Sequence, residues 1–270
     1  MIRRILVGLA GTTYTPVAIQ RAVSLARLHE AEITGVTIVN TNRADHPSPS
    51  GRESRQDQRM VVSRSDIEQA LVDFEMACQS ANVKYRIIRE SLDPFSQLVD
   101  LARYHDLMIF GLRSVFAYDF RAGDPESILI RLIGAGVRPM IAVSEEFRSI
   151  SRVLIAYSGS MESAKAMKRF VQMRLWPGVQ LKIFTFHSLD DKADELMRDA
   201  EDYCRGHDFN VCQEFNPGDP KVLLLAAATL WRADMIVMGN SARSILLRKA
   251  LGDTLLETLR NAKIPLFLAQ

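Results

Sequence analysis

The chain has 270 residues, 47% of them hydrophobic and 24% charged, which is a globular composition and excludes a disordered, collagen-like or coiled-coil chain. Its 34 basic and 32 acidic residues give a net charge of +2, too even for a protein built to neutralise many phosphates, so nucleic acid is not an expected partner. No apolar run reaches the roughly 18 residues of a membrane-spanning helix, and three cysteines without a CxxC or Cys/His spacing favour a reduced, cytoplasmic setting over a disulfide or zinc framework.

The first half of the chain alternates short apolar runs with longer amphipathic stretches, the pattern of βαβ units with a parallel sheet. Arg3 and Arg4 precede only a five-residue apolar run, which predicts a strand and no signal peptide, hence a soluble protein. Strands are predicted at residues 4–10, 32–39, 84–89, 106–111 and 138–143. Helices are predicted to begin near Pro16, Ser65, Pro94 and Pro125, and a polar insertion fills residues 41–62.

The second half repeats this order of elements. Its predicted strands, at residues 152–158, 180–186, 210–215, 234–239 and 264–269, are apolar nearly throughout, as expected when helices cover both faces of a sheet. Helices are predicted at residues 162–173, 190–205, 221–231 and 253–261. Asp219 followed by Pro220 predicts an N-cap and first helical position, and Asp93 with Pro94 repeats that pattern.

The two halves match at landmarks that keep the same order. R-I-L-V-G-L-A-G-T at 4–12 aligns with R-V-L-I-A-Y-S-G-S at 152–160, and D-L-M-I-F-G at 106–111 aligns with D-M-I-V-M-G at 234–239. These matches indicate a duplication with two domains, at residues 1–146 and 150–270. The predicted fold class is therefore α/β, with two tandem doubly wound domains, each an open five-stranded parallel sheet with helices on both faces. In such sheets ligands bind outside the carboxyl ends of the strands, where the strand order reverses.

Residues 234–254, D-M-I-V-M-G-N-S-A-R-S-I-L-L-R-K-A-L-G-D-T, resemble the nucleotide loop of the universal stress protein family, G-x2-G-x9-G-[ST] after the fourth strand. The resemblance covers essentially the whole chain as two tandem copies and implies a Rossmann-like fold of the adenine nucleotide alpha hydrolase-like type. In such a loop small residues let the backbone approach phosphate, while the helix that follows presents free N–H groups. The resemblance implies a nucleotide site made of Ser158, Gly239, Ser241, Ala242, Arg243, Gly252, Asp253 and Thr254.

Three positions of the second copy depart from the family pattern. Ala242 replaces the second glycine, and Asp253 replaces the Ser or Thr that would meet the terminal phosphates, where a carboxylate repels phosphate unless a cation intervenes. Ser158 stands at the end of the first strand, where nucleotide-binding members typically have an acidic residue. Asp253 also suits a helix N-cap, so a loop that only turns the chain from strand to helix is the alternative interpretation.

The first copy departs further from the same pattern. Ser114 replaces the second glycine, the last glycine comes one residue early as Gly123, and Ala10 takes the acidic position after the first strand. Nucleotide is therefore expected in the second copy rather than the first. A separate segment, S-G-S-M-E-S at 158–163, loosely resembles the pyrophosphate loop of ATP pyrophosphatases; the alternative is a turn with Ser160 as N-cap and Ser163 at the third helical position.

Three functions are compatible with these observations. The family resemblance implies a non-enzymatic, cytoplasmic stress-response protein that forms in one chain the two-domain unit that single-domain members make by dimerising. It would bind ATP or AMP in the second copy, with Mg²⁺ only alongside nucleotide, and a second copy of the chain is a candidate homodimer partner. The alternatives are an interaction or scaffold protein with vestigial pockets, and a slow ATP-hydrolysing or adenylylating enzyme. No residue is assigned a catalytic or metal-binding role, and the absence of a general base at the strand-one loop counts against the enzyme.

Overall fold

The computed structural model describes residues 2–38, 64–90, 94–112, 139–186, 191–239 and 252–269. The strands there are β1 (Arg4–Gly8), β2 (Glu32–Ile38), β3 (Tyr85–Glu90), β4 (Leu107–Gly111), β5 (Met140–Val143), β6 (Arg152–Ala156), β7 (Gln180–Thr185), β8 (Asn210–Phe215), β9 (Met235–Gly239) and β10 (Leu266–Ala269). The helices are α1 (Thr15–His29), α2 (Arg64–Ser80), α3 (Pro94–Ala102), α4 (Met161–Met173), α5 (Asp191–Gly206), α6 (Pro220–Leu230) and α7 (Gly252–Asn261). The predicted insertion at 41–62, the predicted N-cap Asp93 and the helix predicted near Pro125 lie outside these ranges.

The strands form one sheet in the order β3-β2-β1-β4-β5-β10-β9-β6-β7-β8. Within each half the pairs are parallel, so the predicted fold class, two five-stranded doubly wound units, is confirmed. The halves join where β5 pairs antiparallel with β10, with Ile141 opposite Phe267. The strand order reverses twice, between β1 and β4 and between β6 and β9, which gives the chain two switch points.

Alternate residues of the strands feed two apolar layers, because side chains of a strand point to opposite faces of the sheet. Ile5 and Val7 pack in the layer under α1, α2, α4 and α5, whereas Leu6 packs in the layer under α3, α6 and α7. The first layer runs across both halves and includes Phe267 of β10. Each fully buried aliphatic or aromatic side chain stabilises the fold by about 1.5–3 kcal/mol.

An aspartate before the fourth strand of each half ties down the start of the first strand. Asp106 Oδ2 accepts hydrogen bonds from the backbone N–H groups of Arg3 and Arg4, at 2.8 and 3.0 Å. Asp234 Oδ2 accepts from Ser151 and Arg152, both at 2.9 Å. The duplication visible in the sequence is thus repeated in the hydrogen bonds.

The first strands are shorter than predicted, since β1 ends at Gly8 and β6 at Ala156 rather than at residues 10 and 158. One further hydrogen bond continues each ladder, from Leu9 N–H to the Val36 carbonyl and from Tyr157 N–H to the Phe184 carbonyl. The chain then leaves the sheet through Gly11 and Gly159, whose positive φ angles of 65° and 70° cannot continue a strand. No helix in the described ranges is long and apolar enough to cross a membrane.

Candidate functional site

The second switch point lies between the carboxyl ends of β6 and β9. The two strands are paired along their length, with Ala156 opposite Met238, so Ser158 and Gly239 emerge at the same edge of the sheet. The chain after β6 turns at Gly159 and enters α4 at Met161. This edge therefore combines a strand end, a tight turn and the N-terminus of a helix, the arrangement that binds anions in doubly wound folds.

Three serine hydroxyls cluster in the turn between β6 and α4. The Ser158 hydroxyl lies 3.0 Å from Ser160 Oγ and 3.3 Å from Ser163 Oγ, and the last two oxygens are 3.3 Å apart. Ser163 is buried, whereas Ser158 and Ser160 are partly exposed. Hydroxyls both donate and accept, so the two exposed ones can hydrogen-bond either a phosphate oxygen or a sugar hydroxyl.

Ser160 is the N-cap of α4. Its Oγ accepts a hydrogen bond from the Ser163 N–H at 3.2 Å, and the Ser163 hydroxyl donates back to the Ser160 carbonyl at 2.9 Å. The interpretation of residues 158–163 as a capped strand-to-helix turn is confirmed. Because capping uses the N–H of the third helical residue, the earlier N–H groups of the first turn are the ones left for a ligand.

Gly239 closes β9 directly beneath the first turn of α4. A Cβ at this position would stand 2.6 Å from the Glu162 carbonyl oxygen and 2.8 Å from the Ser163 nitrogen. Both are backbone atoms of a helix, so they cannot move aside as a flexible side chain would. Glycine is therefore required here for strand-to-helix packing, whether or not a ligand also approaches.

Of the remaining predicted site residues, three lie within the described ranges and three lie outside them. Gly252 begins α7, as the predicted nucleotide loop requires, and Asp253 and Thr254 belong to its first turn. Thr254 is buried, and its carbonyl accepts the Thr258 hydroxyl at 2.7 Å. Ser241, Ala242 and Arg243 lie outside the described ranges.

Two features of this edge are not among the residues predicted for the nucleotide site. Ser160 and Ser163 belong to the 158–163 segment, which loosely resembles a pyrophosphate loop and also fits a capped turn, and its S-x-S-x-x-S spacing is the signal for a hydroxyl cluster. Phe186 follows β7, the strand next to β6, and packs edge-on against Phe184 with ring centroids 5.1 Å apart. Phe186 is partly exposed and adds an apolar aromatic surface at the same edge of the sheet. Across the described residues, no group of three His, Cys, Asp or Glu side chains could hold a metal ion.

Comparisons with known proteins identify relatives of the chain. The model of the universal stress protein family matches residues 1–114 and 187–270. A universal stress protein of Synechocystis sp. is 25% identical over 170 residues, which is 62% of this chain and 59% of the relative. The matched chain thus spans less than two thirds of that relative's length.

Solved structures resemble the chain over nearly its whole length. A universal stress protein from Archaeoglobus fulgidus superposes with a TM-score of 0.67 at 17% identity, covering 99% of this chain and 98% of its own. A Pseudomonas aeruginosa protein described as functionally unknown gives a TM-score of 0.63 at 16% identity, with 99% and 92% covered. At these identities the likeness establishes the fold and not the ligand.

Proposed function

Because the chain belongs to the universal stress protein family, we propose that it is a tandem stress-response protein whose second half binds an adenine nucleotide, ATP or AMP. The observation that carries this proposal is the switch point between β6 and β9, where partly exposed hydroxyls surround the N-terminus of α4. The free N–H groups and positive dipole end of such a helix favour phosphate.

Each site residue has a role in this proposal. Ser158 hydrogen-bonds the ribose or base at the end of β6, and Gly239 begins the phosphate loop. The phosphate loop continues with Ser241, Ala242 and Arg243, which bind the phosphates. It ends at the start of α7 with Gly252, Asp253 and Thr254. Mg²⁺ enters only with the nucleotide, since the Asp253 carboxylate needs a cation between itself and a phosphate.

One observation favours a second candidate function. Gly239, the first glycine of the fingerprint, is explained by α4 lying against it, so this residue by itself is no sign of a ligand. If the loops are purely structural, the protein is an interaction or scaffold protein with vestigial pockets. Binding of nucleotide decides between the two.

Equilibrium dialysis against labelled ATP with Mg²⁺, and against AMP, tests the proposal. We expect saturable uptake by the full chain, lost in Gly252→Val because a side chain there blocks the backbone's approach to phosphate. Gly123→Val is the matched control, since it alters the corresponding glycine of the first half and should leave uptake unchanged. Absence of saturable uptake at about millimolar ligand would instead support the scaffold function; about 4 kcal/mol of binding free energy corresponds to that affinity.

We also propose that the two halves are structural domains with boundaries at residues 1–146 and 150–270, and that the protein is cytoplasmic, non-enzymatic and able to form a homodimer. Limited proteolysis would locate the boundary between the halves. ATP hydrolysis no faster than in a blank without protein would agree with a non-enzymatic role. Sedimentation of the purified chain would give its oligomeric state.

A further inference from the structure

The turns after the first strands of the two halves correspond as far as their glycines; α1 then begins at Thr15, four residues after Gly11, and α4 at Met161, two residues after Gly159. Gly11 and Gly159, 148 residues apart in the sequence, share the positive φ that takes the chain out of the sheet. At the same offset Ala10 corresponds to Ser158. Ala10 is 6% exposed, whereas Ser158 is partly exposed. This position is thus buried in the first half and partly exposed in the second.

An aromatic ring covers the end of β1 at the first switch point, between β1 and β4. A Cβ on Gly8 would overlap Phe110 Cδ1, so the Phe110 ring rests directly on the glycine of the neighbouring strand. The aligned residues of the second half are Ala156 and Met238. A ring lies this close to β1 only because Gly8 has no side chain, and the second half has no such arrangement.

A second aromatic ring is buried at the start of α1. Tyr14 is 2% exposed and belongs to the same buried cluster as Phe110 and Leu112. Leu112 follows β4 directly and is 1% exposed. Tyr14 is therefore buried at the start of the helix that follows β1, in the same apolar layer as the Phe110 ring. Tyr14 is the N-cap residue of α1, and the N-cap residue of the corresponding helix α4 is Ser160, which is partly exposed.

We propose that Tyr14 and Phe110 form an aromatic plug that closes the first switch point, so that the chain takes up a single nucleotide, in its second half. The choice of nucleotide as ligand rests on the proposed function, whereas the closure itself does not. The plug gives the two halves different roles. The second half keeps a ligand site at its switch point, whereas the first half fills its own switch point with core side chains.

Thiol labelling measures the closure without any nucleotide. The background is Cys212→Ser, since Cys212 is the partly exposed native thiol, while burial raises the pKa of Cys78 and Cys204 to about 12 and keeps them unreactive. Into it are placed Ala10→Cys or Ser158→Cys. We expect iodoacetamide to label the cysteine at position 10 about tenfold or more slowly than that at 158, because labelling of a closed site requires local opening. Equal rates would overturn the plug.

Variants of Tyr14 test which residue closes the crevice. In the chain carrying Ala10→Cys, Tyr14→Ala should raise the labelling rate toward that of the cysteine at position 158, whereas Tyr14→Phe keeps the ring and should leave labelling slow. Circular dichroism checks that each variant is folded. If Tyr14→Ala destabilises the chain, Phe110→Leu, which shortens the other ring, supplies the same comparison. An unchanged labelling rate in folded Tyr14→Ala and Phe110→Leu would show that neither side chain closes the first switch point.

The number of nucleotides bound separates this inference from the proposed function. Dialysis to saturation should give one nucleotide per unmodified chain, and two would overturn the plug. No uptake at all would refute the nucleotide function, and the labelling contrast between positions 10 and 158 would then still decide whether the first crevice is closed.

Discussion

Gly239 lies where β9 ends and where the first turn of α4 crosses the sheet. The side of the residue on which a Cβ would stand faces the backbone of Glu162 and Ser163 within 2.8 Å. Close packing between a strand and a helix backbone is a requirement of the fold, and it is met before any ligand is considered. The residue is thus determined by its neighbours in space rather than by its own backbone conformation.

Substitution of Gly239 tests this requirement. Gly239→Ala should lower the free energy of unfolding by about 1–3 kcal/mol, because helix and strand must separate to admit the methyl group. Gly206→Ala is the matched control: a Cβ there meets nothing within 4 Å, and the residue ends α5, so we expect a change between zero and a gain of about 1 kcal/mol. Urea unfolding of both variants measures the difference, and equal midpoints would show that α4 shifts without cost.

Among the secondary-structure elements, a series of hydrogen bonds through the buried His105 ties α3 to β2 and β3. His105 precedes β4 and is 2% exposed. Its Nδ1 donates to the Leu101 carbonyl of α3, which leaves Nε2 to accept the Thr34 hydroxyl of β2 at 2.8 Å. Thr34 Oγ1 in turn accepts from Arg86 Nε of β3 at 2.9 Å. Nε2 can accept the Thr34 hydroxyl only while the His105 ring is neutral, since both nitrogens of a protonated ring are donors.

Burial is the main cause that lowers the pKa of His105 below the ordinary value of 6.5. The Leu101 carbonyl raises it, Arg86 of β3 and Arg4 of β1 lower it, and Glu32 of β2 raises it. The unfolded chain therefore binds a proton below pH 6.5 that the folded chain resists. The contribution of the neutral His105 ring to the free energy of unfolding is therefore fully present above pH 6.5. It is lost as the pH falls toward the lower pKa of the folded chain.

The pH dependence of unfolding checks this sign. We expect the urea midpoint of the unmodified chain to fall between about pH 8 and about pH 5.5, and part of that fall to disappear in His105→Gln, which has no titrating ring. His105→Gln should itself be less stable at the higher pH because it loses the bond to Thr34. Leu28→Gln, an exposed change on α1, controls for substitution in general. An unaltered pH dependence in His105→Gln would contradict the role of the buried ring.

At the scale of the molecule, the two halves are joined by more than the β5–β10 pair. Arg21 of α1 is 2% exposed and lies over the rings of Phe147 and Trp176, at 4.5 and 5.4 Å from their centroids. It also donates to the Arg148 carbonyl, whereas its buried Nε has no hydrogen-bond partner among the described residues. Burial lowers the pKa of Arg21 to about 10. Two turns further along α1, His29 Nε2 lies 3.0 Å from the carbonyl of Leu175, in the second half.

These contacts and the shared apolar layer predict that the halves unfold together. Phe74→Ala empties a fully buried site on α2 and should cost about 3–5 kcal/mol. Both tryptophans of the chain, at 176 and 231, are in the second half, so their fluorescence should report this loss at the same denaturant concentration as circular dichroism does.

Val72→Ala provides the control, since Val72 lies on the same helix but is 49% exposed and should change the midpoint little. Fluorescence that stays at the midpoint of the unmodified chain while circular dichroism splits into two steps would show that the halves are independent units.

Much of the fold is predictable from short stretches of sequence. The order of strands and helices follows from apolar runs and their punctuation, and the turn at 158–163 from its serines. Asp219 accepts the Lys221 N–H at 2.9 Å as the predicted N-cap with Pro220 behind it. The observed strands are shorter than predicted at several ends, because the point at which a chain leaves a sheet depends on its neighbours.

The duplication, the doubly wound order and the edge of the sheet at which a site would lie are predictable from the amino-acid sequence, because local periodicity and repeated landmarks specify them. Three features are visible only in the folded chain: β5 and β10 join the halves into one sheet, Arg21 is buried against Trp176, and Phe110 rests on Gly8. These features depend on residues far apart in the chain, whose distance and burial are set by packing. The same packing gives one turn partly exposed serines and its counterpart a buried tyrosine, a difference that spacing alone does not contain.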